Sequence, residues 1–161
     1  MILIICVVYF MRVKKAVPNA KLQISLKILL MNNKGKFLLL RNRLDGSLAG
    51  TFDFPGGRIA EKEIGMPFDI ILRRELIEEL GPGVHLSIKP SPIAIGRHKY
   101  TDRLGTANHV VWLLFPGTYK NGAIKISSEH ISYQWKKITK SNLKKLFIKG
   151  ALDVAQNLFK H

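Results

Sequence analysis

Hydrophobic and polar positions alternate from Leu22 to Met31, the pattern of a half-buried strand. Asn32-Asn33-Lys34-Gly35 then has turn chemistry, and Lys36 to Arg41 resumes with a short apolar run, which predicts a hairpin. A loop containing Asp45, Gly46 and Gly50 leads to Phe52-Asp53-Phe54-Pro55-Gly56-Gly57. The period then changes to helical spacing over residues 67–80, with Pro67 to open the helix and Gly81-Pro82-Gly83 to stop it. Further strands are predicted at about 92–100, 107–115, 123–127 and 131–136, and residues 139–159 predict one or two amphipathic helices broken near Gly150. Strands first, one helix in the middle and another at the end describe a mixed α/β domain.

The chain divides into an N-terminal extension, residues 1–20, and a single domain over 21–161. Met1 to Met11 is apolar apart from Tyr9 and is followed by Arg12, Lys14 and Lys15. That run is too short to span a bilayer, and its charges follow the apolar stretch where a signal peptide would have them first. Two readings stay open for it: an added buried strand, or Met11 as the native start.

A length of 161 residues suits one domain with a real core, and 47% apolar with 23% charged residues excludes disordered and fibrous classes. One cysteine, Cys6, cannot close an internal disulfide, so a reducing, cytoplasmic setting is expected. The net charge of +15 points to polyanionic partners. Its distribution says more than its sum. Residues 1–43 carry nine Lys or Arg and no acid, whereas seven of the eleven acids fall within residues 53–79.

That acidic concentration centres on Arg73-Arg74-Glu75-Leu76-Ile77-Glu78-Glu79-Leu80. At about 100° per residue Glu75, Glu78 and Glu79 share one helix face, beside an apolar stripe of Leu72, Leu76 and Leu80. Like charges at these spacings cost a helix roughly 0.2–0.5 kcal/mol per pair, so something must offset them. A solvated face with Arg73 and Arg74 nearby would do so. A hard divalent cation would do it better, since Mg²⁺ takes carboxylate oxygens together with substrate phosphates and water.

With Gly57 before it, Glu63 between and Gly81 after, this helix resembles the Nudix box, and Gly57, Glu63, Arg74, Glu75, Leu76, Glu78, Glu79 and Gly81 fill its places. Ten residues rather than the family's seven separate Glu63 from Arg74, so the loop is three residues longer. Phe37-Leu38-Leu39-Leu40-Arg41, Phe54-Pro55-Gly56-Gly57 and Glu129-His130-Ile131-Ser132-Tyr133-Gln134-Trp135 extend the likeness over most of residues 22–159. The resemblance implies an α/β/α sandwich with the acidic helix against a mixed sheet. It also implies hydrolysis of a nucleoside diphosphate linked to another group, a nucleotide sugar or a nucleoside triphosphate among them, with Mg²⁺ or Mn²⁺.

On the same resemblance Glu78 and Glu79 are the principal metal ligands, with the Gly57 carbonyl and Glu75 or Glu129 as further oxygens, and Arg74 orients Glu75 or Glu63. The base is Glu75, Glu129 or His130. The stretches around His98, His109 and His130 are similar to the GDP-mannose mannosyl hydrolase branch, where a late-loop His is the base. That branch departs from the box at the place of Glu75, which this sequence keeps. Arg43, His98 and Tyr100 are candidate substrate contacts. The expected partner is a small nucleotide rather than a membrane. RNA 5′ ends form a less favoured second class, a non-catalytic nucleotide-binding module is a third reading, and a homodimer stays open.

Overall fold

The computed structural model describes residues 21–45, 48–102 and 104–160, so both readings of the 1–20 extension lie outside the described residues. The first strand, β1 (Gln23–Met31), divides its side chains between two cores. Leu26, Ile28 and Leu30 join one apolar cluster, while Leu29 belongs to the other and the Lys27 ammonium lies over Trp112 of that second cluster. The turn predicted at 32–35 joins β1 to β2 (Phe37–Asn42), with Gly35 at φ 65° as its left-handed residue. After the short β3 (Phe52–Asp53), the chain makes a 3-10 turn at Glu61–Glu63 and enters α1 (Phe68–Leu80), with Pro67 at the N-cap.

Beyond α1 come β4 (His85–Ile88), β5 (Ala94–Thr101), β6 (Ala107–Asn121), β7 (His130–Lys136), α2 (Leu143–Leu146) and α3 (Lys149–Leu158). The strands form one mixed sheet in the order β3-β2-β1-β6-β4, with β5 also on β6 and β7 also on β2. Strands β1 and β6 run parallel, from Gln23 beside Val110 to Met31 beside Thr118, and the other pairs are antiparallel. Helix α1 packs through Ile71, Leu72, Leu76 and Leu80 on one face, and α2 and α3 pack through Leu143, Leu146, Phe147, Ala151 and Val154 on the other. This is the expected α/β/α sandwich. Among the described residues no helix is long and apolar enough to cross a membrane.

Several boundaries differ from the sequence expectation. Residues 123–127 do not pair as a strand. The end of α1 takes their N–H groups, with Lys125 donating to the Leu80 carbonyl at 2.9 Å and Ser127 to the Glu79 carbonyl at 3.1 Å. Strand β6 continues through Pro116 to Asn121, because that proline supplies only a carbonyl there, which accepts from Lys89 N–H. The break in the tail falls at Phe147-Ile148. Gly150 instead lies inside the first turn of α3, where a Cβ would stand 2.8 Å from His98 Cβ and 3.0 Å from the Trp112 ring.

Candidate active site

Phe54-Pro55-Gly56-Gly57 runs beside β1, with Ile28 N–H donating to the Pro55 carbonyl and Leu26 N–H to the Gly57 carbonyl. Gly56 has φ 114°, and a side chain there would strike the Leu26 carbonyl, so this turn requires glycine. The Gly56 N–H donates to Glu79 Oε2 at 2.6 Å, fixing a buried carboxylate that comes up from α1. Burial of the apolar stripe of α1 contributes about 1.5–3 kcal/mol per large side chain, which outweighs the few tenths lost to each crowded carboxylate pair.

Arg74 relieves much of that crowding. Its guanidinium donates to both oxygens of Glu63, at 2.5 and 3.0 Å, to Glu75 Oε1 at 2.8 Å and to Glu78 Oε2 at 2.8 Å. Glu63 ends the 3-10 turn that precedes the longer loop, and there it also accepts the Ala60 N–H at 2.9 Å. The Arg74 hydrogen bonds hold the Glu63 carboxyl below its usual value and raise the guanidinium above its own. Glu75 is pushed up by burial, against the opposing pull of Arg74.

A cavity of about 540 Å³ opens over this turn, lined by Ser25, Lys27, Asp53, Gly56, Gly57, Arg58, Glu75, Glu79, His98, Tyr100, Trp112, Glu129 and His130 among others. Ligand atoms of Glu79, Glu129 and His130 lie within 4.8 Å of one another. His130 Nε2 stands 3.1 Å from Glu79 Oε1, and its buried Nδ1 has no hydrogen-bond partner among the described residues. Two carboxylates and an imidazole with an unsatisfied nitrogen are a donor set that a divalent ion fits.

The expected residues divide between the cavity and its surroundings. Glu75, Glu79, Glu129, His130, His98 and Tyr100 meet at the cavity. Glu78 is exposed and turned to Arg74, and Arg43 pairs with Asp45 and donates to the Ser128 carbonyl at 3.1 Å, so it touches the loop that carries Glu129 and His130. Gly81 caps α1, its N–H on the Ile77 carbonyl. The Gly57 carbonyl accepts from Leu26 N–H at 2.8 Å and from the Ser25 hydroxyl at 3.2 Å.

On the far wall His98 stacks with Tyr100, ring centroids 5.9 Å apart, and meets Trp112 edge-on. Arg58 donates to the Tyr100 hydroxyl at 2.9 Å and lies over its ring. Sequence reasoning missed Arg58, Trp112 and above all Lys27 and Asp53, which pair at 2.9 Å in the cavity floor. Their signal was present in Ile24-Ser25-Leu26-Lys27-Ile28 and Phe52-Asp53-Phe54, where one charge interrupts each apolar run. Burial alone would lower the Lys27 ammonium, but Asp53, Glu79 and Glu75 more than offset it and hold it above its usual value.

No protein-family model matches the sequence, and no curated protein matches it. Solved structures do. A MutT protein from Methanosarcina mazei Go1 is 24% identical, covers 88% of this chain and 96% of its own, and superposes with a TM-score of 0.66. The NUDIX domain of Shewanella oneidensis NrtR, in complex with ADP ribose, is 15% identical over 87% of this chain and 86% of its own, with a TM-score of 0.57. An ADP-ribose pyrophosphatase from Streptococcus suis is 15% identical over 84% and 86%, with a TM-score of 0.55. The chain has the Nudix fold.

Proposed function

We propose that this chain is a divalent-metal-dependent hydrolase that splits a nucleoside diphosphate linked to another group, a small nucleotide met in the cytoplasm. The observation that carries the reading is the convergence of Glu79, Glu129 and His130 within 4.8 Å beside Glu75, at a cavity large enough for a nucleotide. The fold neighbours that include an ADP-ribose pyrophosphatase and a domain complexed with ADP ribose support the same substrate class. A bound Mg²⁺ or Mn²⁺ would supply charge neutralisation of phosphate oxygens.

The chain's own groups do the rest. Glu79, Glu129 and His130 would hold the ion, and Gly56 N–H keeps Glu79 in place. Glu75, half-buried and raised in pKa, is suited to take a proton from the attacking water, with Arg74 fixing its carboxylate. His130 is the second candidate for that proton, as the likeness to the mannosyl hydrolase branch implies, in which case Glu79 and Glu129 hold the ion without it.

The test is incubation with Mg²⁺ or Mn²⁺ and a panel of nucleoside triphosphates, nucleotide sugars, dinucleoside polyphosphates and 5′-triphosphate RNA, with every product resolved by chromatography. Turnover of one class is expected, and Glu79→Gln should abolish it while leaving the circular dichroism spectrum unchanged. Full activity in Glu79→Gln would refute the ligand assignment. Turnover of the RNA alone would move the substrate to nucleic-acid ends.

A further inference from the structure

The floor of the cavity carries a charged pair, Lys27 and Asp53, that the proposed chemistry does not use. Lys27 is buried in β1 with its side chain only 9% exposed. Its ammonium donates to the Gly56 carbonyl at 2.5 Å and to Asp53 Oδ2 at 2.9 Å, and it lies 5.1 Å from the centre of the Trp112 ring. Asp53 is fixed in turn, because its Oδ1 accepts the Phe54 N–H at 2.6 Å. Gly56 is the same residue whose N–H holds Glu79. A carbonyl oxygen and a carboxylate oxygen converging on one positive centre beside a cluster of acids is the kind of oxygen set that hard cations take.

We propose that Lys27 is a built-in cation of the site, whose ammonium occupies the position next to Glu79 that a second divalent ion would otherwise fill, so that each chain holds one divalent ion. The proposal rests on the metal-dependent reading above. Both glycine carbonyls of the turn are engaged. That of Gly57 has two donors, Leu26 N–H and the Ser25 hydroxyl, and that of Gly56 has Lys27. An incoming ion at the Gly57 carbonyl would have to displace one of its two donors, and at the Gly56 carbonyl it would meet the fixed positive charge of Lys27. The ligands left to it are those of the outer cluster, Glu79, Glu129 and His130.

The experiment is a titration of the full chain with Mn²⁺, counting bound ions by the loss of the free-ion electron paramagnetic resonance signal, and no turnover enters the readout. One tight ion per chain is expected. Lys27→Met keeps the length of the side chain and removes its charge, freeing Asp53 and the Gly56 carbonyl, and should raise the count to two. Two tight ions on the unaltered chain would overturn the proposal and leave the hydrolase reading standing. None would overturn the metal-dependent reading and this proposal with it. A Lys27→Met protein that keeps its circular dichroism spectrum and still binds one ion would also overturn it, and the count on the unaltered chain stands whether or not that variant folds.

Discussion

Replacing Gly57 by alanine tests whether the Glu75 carboxylate must stand where the structure puts it. Gly57 is not among the glycines with positive φ, so its backbone accepts an L side chain. The new Cβ would meet Glu75 Cδ at 2.5 Å and Oε1 at 2.6 Å, where ordinary contacts begin at 3.4 Å. The carboxylate must therefore withdraw by about 1 Å, and a misplacement of about 1 Å can cost a reaction about 100-fold, or about 2.7 kcal/mol of barrier. The obstructing atoms are the far end of a flexible side chain, so the fold yields easily. Loss of backbone freedom in the unfolded chain works in the stabilising direction, by about 0.4–1 kcal/mol.

The expected result is kcat/KM lowered about 100-fold on whichever substrate the panel identifies, with the melting temperature changed by only a few degrees. Two glycines serve as controls. Gly65→Ala has nothing within 4 Å of its Cβ and should keep full activity, whereas Gly56→Ala, at φ 114° and against the Leu26 carbonyl, should lose the fold. A Gly57→Ala enzyme with unaltered kcat/KM would refute the placement of Glu75 in the chemistry. Activity lost only together with the melting transition would refute the separation of site from fold.

Comparison of Glu75→Gln with His130→Ala, with bound Mn²⁺ counted in each, locates the base: a loss of about 10²- to 10⁴-fold in kcat with the ion retained marks it, a loss that comes with loss of the ion marks a ligand, and small losses in both would remove the role from each. His98 is held below its usual pKa, first by burial and then by Lys149 and Arg58. Folding therefore favours its neutral form, and the stability it contributes is full above its unfolded value near 6.5 and is lost as the pH falls toward the lower folded value. Thermal melts from pH 7.5 to 5 should accordingly fall less steeply for His98→Gln than for the unaltered chain, and parallel curves would contradict the sign.

What could be read in the sequence was what repeats or sits at fixed spacing. The Leu72-Leu76-Leu80 stripe and the hairpin turn at 32–35 follow from local periodicity, and each stands where the pattern puts it. The failures come where a distant partner decides. Extended residues 123–127 look like a strand until the free carbonyls at the end of α1 claim their N–H groups. Gly150 looks like a helix break until His98 and Trp112 are seen to fill the space that its side chain would need.

The site divides in the same way. Spacing along α1 places Glu75 and Glu79 on one face, but only the path of the chain brings Glu129 and His130 to them from the start of β7, fifty residues further on. Lys27 and Asp53 stand between these cases, because each was visible as a single charge in an apolar run and neither had a partner within its own element. A buried charge without a counterion costs several kcal/mol, so an isolated charge in a core strand implies an opposite one elsewhere in the core. The chain has only two acids between its first strand and the acidic helix that lie outside the 3-10 turn and the start of α1, Asp45 and Asp53. Of these, Asp53 alone is flanked by aromatic residues in an apolar run, and the pairing of the two lone charges across 26 residues fixes the Gly-Gly turn against β1 on which the position of Glu79 depends.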